Sequence, residues 1–159
     1  MKGNDKLTQT LNLLLADELT AISQYMVHSE MCANWGYEQL HTAIEKQAID
    51  EMHHAEWLIR RIIFLEGMPV VDRLNPIRIG ATVLDMVSND QEAEQGAVRA
   101  YNGAIGLARD VADQGTADLL SQILKMEEGH VDWADQQRTQ IAQMGLENYL
   151  ANQSGSVAG

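Results

Sequence analysis

The sequence predicts an all-α protein: an antiparallel four-helix bundle with a long crossover between helices two and three and a short fifth C-terminal helix. Three observations predict it. Apolar residues recur at steps of three and four through four long stretches, and nowhere at steps of two. The only prolines, Pro69 and Pro76, share one mid-chain segment. The chain also repeats across that segment. Glu18, Tyr25, Glu51, His54 and Trp57 return as Glu94, Tyr101, Glu127, His130 and Trp133, each displaced by 76 positions.

The first helix carries Leu7, Leu11, Leu14/Leu15, Glu18, Ile22 and Tyr25 on one face. Asn34-Trp35-Gly36 separates it from the second, whose face runs Leu40, Ile44, Gln47, Glu51, His54/Ala55, Leu58, Ile62, Leu65. Gly67-Met68-Pro69 ends that stretch, and residues 67–80 read as the crossover. The third face is Val83, Val87, Gln91, Glu94, Val98, Tyr101, Ile105. Residues 110–116 form the next connection. The fourth face is Leu119/Leu120, Ile123, Glu127, His130, Ala134, Gln137, Ile141, stopped at Gly145. Helices of about 25–30 residues would be roughly 40 Å long. One domain over 1–159 is expected: a bundle from about 5 to 144, a short helix from about 146 to 152, and a loose tail over 153–159.

Length and charge narrow the function. At 159 residues the chain can bury a real core. A net charge of −12 and a pI near 4.6 argue against nucleic acid and for cations. The single cysteine, Cys32, excludes an internal disulfide or a Cys-x-x-Cys metal site, and reads as a small buried thiol. The start, MKGNDKLTQT, shows no secretory signal, and no stretch approaches the ~18 apolar residues of a membrane span. A cytoplasmic location without membrane contact is the simplest reading.

The chemistry lies in the acids. Glu18, Glu51, Glu94 and Glu127 each interrupt an apolar stripe where Leu or Ile would be expected. Burying one bare carboxylate costs several kcal/mol, and four converging ones also repel. Two divalent cations would neutralise them. His54 and His130, one turn from Glu51 and Glu127, face the same way and add a nitrogen to each metal. Glu51 and Glu127 are the candidate bridges, with Glu18/His54 and Glu94/His130 as terminal pairs. Such a shell favours iron or manganese over copper or structural zinc. Four acids with paired Glu-x-x-His motifs are a known ligand pattern of di-metal bundles, so the assignment is a match to a pattern. Glu38 and His41 share the spacing, but their shifted positions are Gln114 and Ala117, and they read as a solvated helix start.

Beyond this set the chain resembles the bacterioferritins along almost its whole length. The start MKG, ELTAISQY (18–25), NWG (34–36), IDEMHHAEW (49–57), FLEGMP (64–69), EEGHVDW (127–133) and MGLENYL (144–150) carry the likeness. The resemblance implies a ferritin-like bundle and a hollow shell of twenty-four subunits. It implies ferroxidase activity, Fe²⁺ being oxidised by dioxygen or peroxide at an intrasubunit di-iron site and the ferric mineral stored inside. The family's six ligands fall on Glu18, Glu51, His54, Glu94, Glu127 and His130. Tyr25 and Trp133 become candidate electron donors, although packed aromatic core is the plainer reading of both. Met52, about 100° round the helix from Glu51, would be the axial ligand of a haem b shared by two subunits. Met26 and Glu45 stand where relatives often carry aromatics. Lys46 stands where some carry a histidine that, with the acid at Asp50, holds an inner-surface iron. The family also suggests a small ferredoxin for iron release, and the chain could assemble alone or with a sister subunit. A rubrerythrin-type peroxidase would need two Cys-x-x-Cys pairs, and a hydroxylase a larger scaffold. The remaining alternative is a haem-carrying or structural shell subunit with a slow metal site.

Overall fold

A computed structural model describes residues 1–155. Its helices are α1 (Asp5–Asn34), α2 (Glu38–Phe64), α3 (Val83–Asp110), α4 (Gln114–Met144) and α5 (Leu146–Gln153), and no strand occurs among the described residues. The all-α, ferritin-like architecture is the one expected. No helix among these residues is long and apolar enough to cross a membrane.

Local chemistry sets the helix ends. Asn4 and Thr82 accept the backbone N–H groups of Leu7 and Asp85 at 3.0 and 3.2 Å, capping α1 and α3. Asp113 takes the N–H of Thr116 at 3.0 Å and its hydroxyl at 2.6 Å, drawing residues 114–116 into the first turn of α4. The connection expected at 110–116 is therefore only 111–113. Arg61 of α2 donates to Asp113 at 2.9 Å and to Thr116 at 2.8 Å, fixing one end of the bundle. Gly145, with φ 82°, stops α4 and starts α5. α5 runs through Gln153, one residue into the expected tail, and 156–159 of that tail lie outside the described residues.

The crossover, residues 65–82, climbs alongside α1. Asn12 holds the Met68 carbonyl and the Val70 N–H at 3.1 and 2.8 Å. Thr20 accepts from Asn75 N–H at 2.8 Å, Gln24 from Arg78 N–H at 3.0 Å, and His28 from Gly80 N–H at 2.9 Å. These anchors advance together along both segments, so the crossover returns the chain to the far end of α1 and α3 then runs antiparallel to it. Gly80 is needed there because a Cβ would come within 2.4 Å of the Met86 nitrogen.

Each helix passes from apolar to polar and back to apolar. One core cluster gathers Leu7, Leu11, Leu15, Leu58, Ile62 and Leu120 at the Arg61 end. The other gathers Cys32, Leu40, Ile44, Val83, Met86 and Tyr149 at the Gly80 end. The acids lie between them.

Candidate di-metal centre

All six side chains singled out by the repeat meet in this middle layer. Glu18, Glu51, His54, Glu94 and Glu127 are at most 2% exposed, and His130 is 7% exposed. They form two groups whose ligand atoms all lie within 4.8 Å of one another: Glu18, Glu51, His54 and Glu127, then Glu51, Glu94, Glu127 and His130. Glu51 and Glu127 belong to both, as expected of bridges. His54 points Nδ1 at Glu127, Glu18 and Glu51, at 2.8, 3.6 and 3.7 Å. His130 points Nδ1 at Glu51, Glu94 and Glu127, at 2.9, 3.2 and 3.8 Å.

Of these short separations only that between His130 and Glu94 is a hydrogen bond. His54 Nδ1 and Glu127 Oε1 approach to 2.8 Å, yet neither has a hydrogen-bond partner. Glu18 Oε2, Glu51 Oε1, Glu94 Oε2 and Glu127 Oε2 are likewise buried and unpartnered. Six orphaned polar atoms in one dry layer is a costly arrangement for a protein alone. A donor set of carboxylate oxygens and imidazole nitrogens converging this way fits two divalent cations such as iron.

Protonation tells the same story. Burial, then the Glu51 charge, pushes Glu18 well above the carboxylate range. Burial, then Glu94, does the same to Glu127. Burial also pushes Glu51 upward, but its contacts with Glu18, His130 and His54 outweigh that and hold it below the usual range. Burial works against a charge on His130, and the Glu51 and Glu94 carboxylates reverse this, raising it to about 10. Without cations the centre is held together by shared protons.

Tyr25 was expected near the centre and is fully buried there, its hydroxyl donating to Glu94 Oε1. Sequence reasoning gave Tyr101 no role, yet its hydroxyl donates to Glu18 Oε1. The repeat carried the signal, because Tyr101 lies 76 positions after Tyr25. The hydroxyls cross: the first half's tyrosine serves the second half's terminal acid, and the reverse. Burial and the facing carboxylates raise both phenols well above their ordinary range. Trp57 lies against His54, ring centroids 5.6 Å apart, and Trp133 packs on the Gly80-end core. Met52 faces away from the centre and is 43% exposed.

A cavity of about 570 Å³ leads to the acids from the groove between α1 and α3. Glu18, Glu51, Glu94 and Glu127 line its floor; Asp17, Asn75, Arg78 and Glu92 frame its mouth. Burial raises Asp17 although Asn75 donates to it. Elsewhere, Glu30, His41 and Glu45 also approach one another at the surface. There His41 is committed to the Ser29 carbonyl at 2.9 Å and lies 3.5 Å from Glu45, a contact open to solvent. Glu38 takes no part in it.

Comparison with known proteins agrees with this geometry. The Ferritin-like domain family matches residues 8–144. A bacterioferritin of Brucella melitensis is 36% identical, covering 94% of this chain and 92% of its own. A bacterial ferritin of Synechocystis is 38% identical over 96% of this chain and 99% of its own. One of Paramagnetospirillum magnetotacticum is 38% identical over 99% and 98%. Matches of this extent, on a bundle of this topology, leave one conclusion: the chain belongs to the bacterioferritin family of ferritin-like proteins.

Proposed function

We propose that this protein stores and detoxifies iron, oxidising Fe²⁺ with dioxygen or peroxide at the buried centre and depositing ferric mineral inside a shell of twenty-four subunits. Six orphaned donor atoms in two overlapping groups are the observation that carries the reading. Bacterioferritin and bacterial ferritin relatives support its iron-storage part. The six unpartnered atoms weigh against a merely structural subunit.

Ferrous iron is the substrate. Asp17 and the acidic floor of the cavity draw cations inward from the α1–α3 groove. Glu18 and Glu127, whose carboxyls favour the protonated form when no cation is bound, would release protons as cations take their place. Tyr25 and Tyr101 occupy one oxygen each of Glu94 and Glu18, leaving Oε2 of both free to ligate. His54 and His130 present Nδ1, and Glu51 and Glu127 span both positions. A bound pair of ferrous ions supplies two electrons, one from each, to the oxidant. The apolar clusters on both sides keep water away.

Met52 is the proposed haem b ligand. Its exposed thioether lies one turn from exposed Ile49 on the same face of α2, a soft donor in an apolar setting that suits haem iron. A second copy of the chain would cover the group and supply the matching Met52, and the haem would serve as a one-electron carrier for iron release. A small ferredoxin is the proposed electron source, and a sister subunit could share the shell.

Stopped-flow oxidation of Fe²⁺ by the metal-free protein tests the reading. Fast uptake of two Fe²⁺ per chain is expected, and Glu127→Ala should abolish it while leaving assembly intact. A wild-type trace no faster than buffer defeats the proposal.

A further inference from the structure

We propose that the two ends of the centre hold metal unequally, with Asp50 making the Glu94/His130 position tight and Met126 leaving the Glu18/His54 position loose. This rests on the di-metal reading and adds an order of filling to it. The repeat that matches the ligands also matches what stands behind them, since Asp50 and Met126 lie 76 positions apart. His130 turns its outer nitrogen, Nε2, to Asp50 Oδ2 at 3.1 Å. His54 turns the same atom to Met126 Sδ at 3.2 Å.

With Nδ1 of each ring given to a cation, Nε2 would carry the proton. At His130 that proton goes to a carboxylate, a charge-assisted bond that fixes tautomer and ring orientation and makes Nδ1 a stronger donor. At His54 it meets only a thioether, a weak acceptor. Lys46 steadies Asp50 from outside, its ammonium 3.1 Å from the same oxygen. The repeat places Gln122 in the matching position. Each end has one terminal acid, one tyrosine hydroxyl on that acid, and the same two bridges; Trp57 lies against His54 where Trp133 packs on the Gly80-end core, but an indole offers no lone pair to a ring N–H. The outer partner of the histidine is therefore the difference that bears on affinity. Losing such a partner typically costs about 10–100-fold in metal affinity. Asp50 is a positioning residue, acting through His130.

Titration of the metal-free protein with Co²⁺ under anaerobic conditions tests this, read by visible absorption and by competition with a chromophoric chelator. Two steps are expected, about 10–100-fold apart in Kd. Asp50→Met should merge them at the weaker value, and Asp50→Glu should restore the separation. Met126→Asp should merge them at the tighter value, so the inference stays testable if one variant folds poorly. Two indistinguishable wild-type affinities would overturn it, as would Asp50→Met weakening both steps equally. Fewer than two Co²⁺ per chain would instead remove the di-metal reading itself.

Discussion

The two ends of the bundle are built differently. Around Arg61 the interior is nearly pure hydrocarbon: Leu7, Leu11, Leu15, Leu58, Ile62, Leu120 and Ile123 fill it. Around Gly80 the interior is laced with polar bonds. His28 meets Asp90 at 2.9 Å, Gln24 donates to Asp90 at 2.8 Å, and Tyr149 donates to Gln137 at 2.7 Å. The repeat puts Leu14 and Ala104 in the places of Asp90 and His28. Each end carries a short link between helices, residues 111–113 at the first and 35–37 at the second. The second end must seat a crossover and a short fifth helix, both rich in backbone groups needing partners, and directional bonds do that.

The largest expected effect sharpens this contrast by titrating the layer between the ends. His130 is raised from 6.5 to about 10 in the folded chain, so the stability it contributes is complete below pH 6.5 and lost by pH 10. That is on the order of 5 kcal/mol for the metal-free protein. Glu18 and Glu127, raised in the fold, act in the same direction, because the unfolded chain gives up their protons first as pH rises above 4.5. Glu51, lowered in the fold, stabilises above the carboxylate range and loses that on acidification. Thermal unfolding at a series of pH values should show a fall toward pH 10 that bound metal flattens. Equal slopes with and without metal would contradict it.

Next in size, Leu58→Ala at the hydrocarbon end should cost about 2–5 kcal/mol, lowering the denaturant midpoint for the whole bundle. At the polar end Asp90→Ala should cost about 1–3 kcal/mol and strip His28 and Gln24 of a shared acceptor. Hydrogen exchange separates the two: the first variant speeds exchange everywhere, the second chiefly at the Arg78 and Gly80 amides. The smallest effect is Tyr101→Phe, about 1 kcal/mol in the metal-free protein, with slower iron oxidation because Glu18 loses its hydroxyl.

Much of this was legible in the sequence for a simple reason. An acid inside an apolar stripe is conspicuous, and four of them repeated in register identify one another. The six candidate ligands came from that, and the four long helices from apolar steps of three and four. What stayed hidden depends on contacts between segments far apart in sequence. Asn12, Thr20, Gln24 and His28 read as ordinary polar residues of α1, although they anchor the crossover. Asp50 and Met126 give no hint of lying behind the histidines of opposite hairpins. Tyr101 was visible as a repeat of Tyr25, but only the crossing of the two hydroxyls shows what that repeat accomplishes.

Neither group of donors is complete within one hairpin. Three members of the first come from α1 and α2 and one from α4; three of the second come from α3 and α4 and one from α2. Each cation would thus act as a clasp between the halves. A chain nicked in its exposed crossover, near Leu74, would therefore hold its two fragments together more tightly when loaded than after a chelator has stripped it.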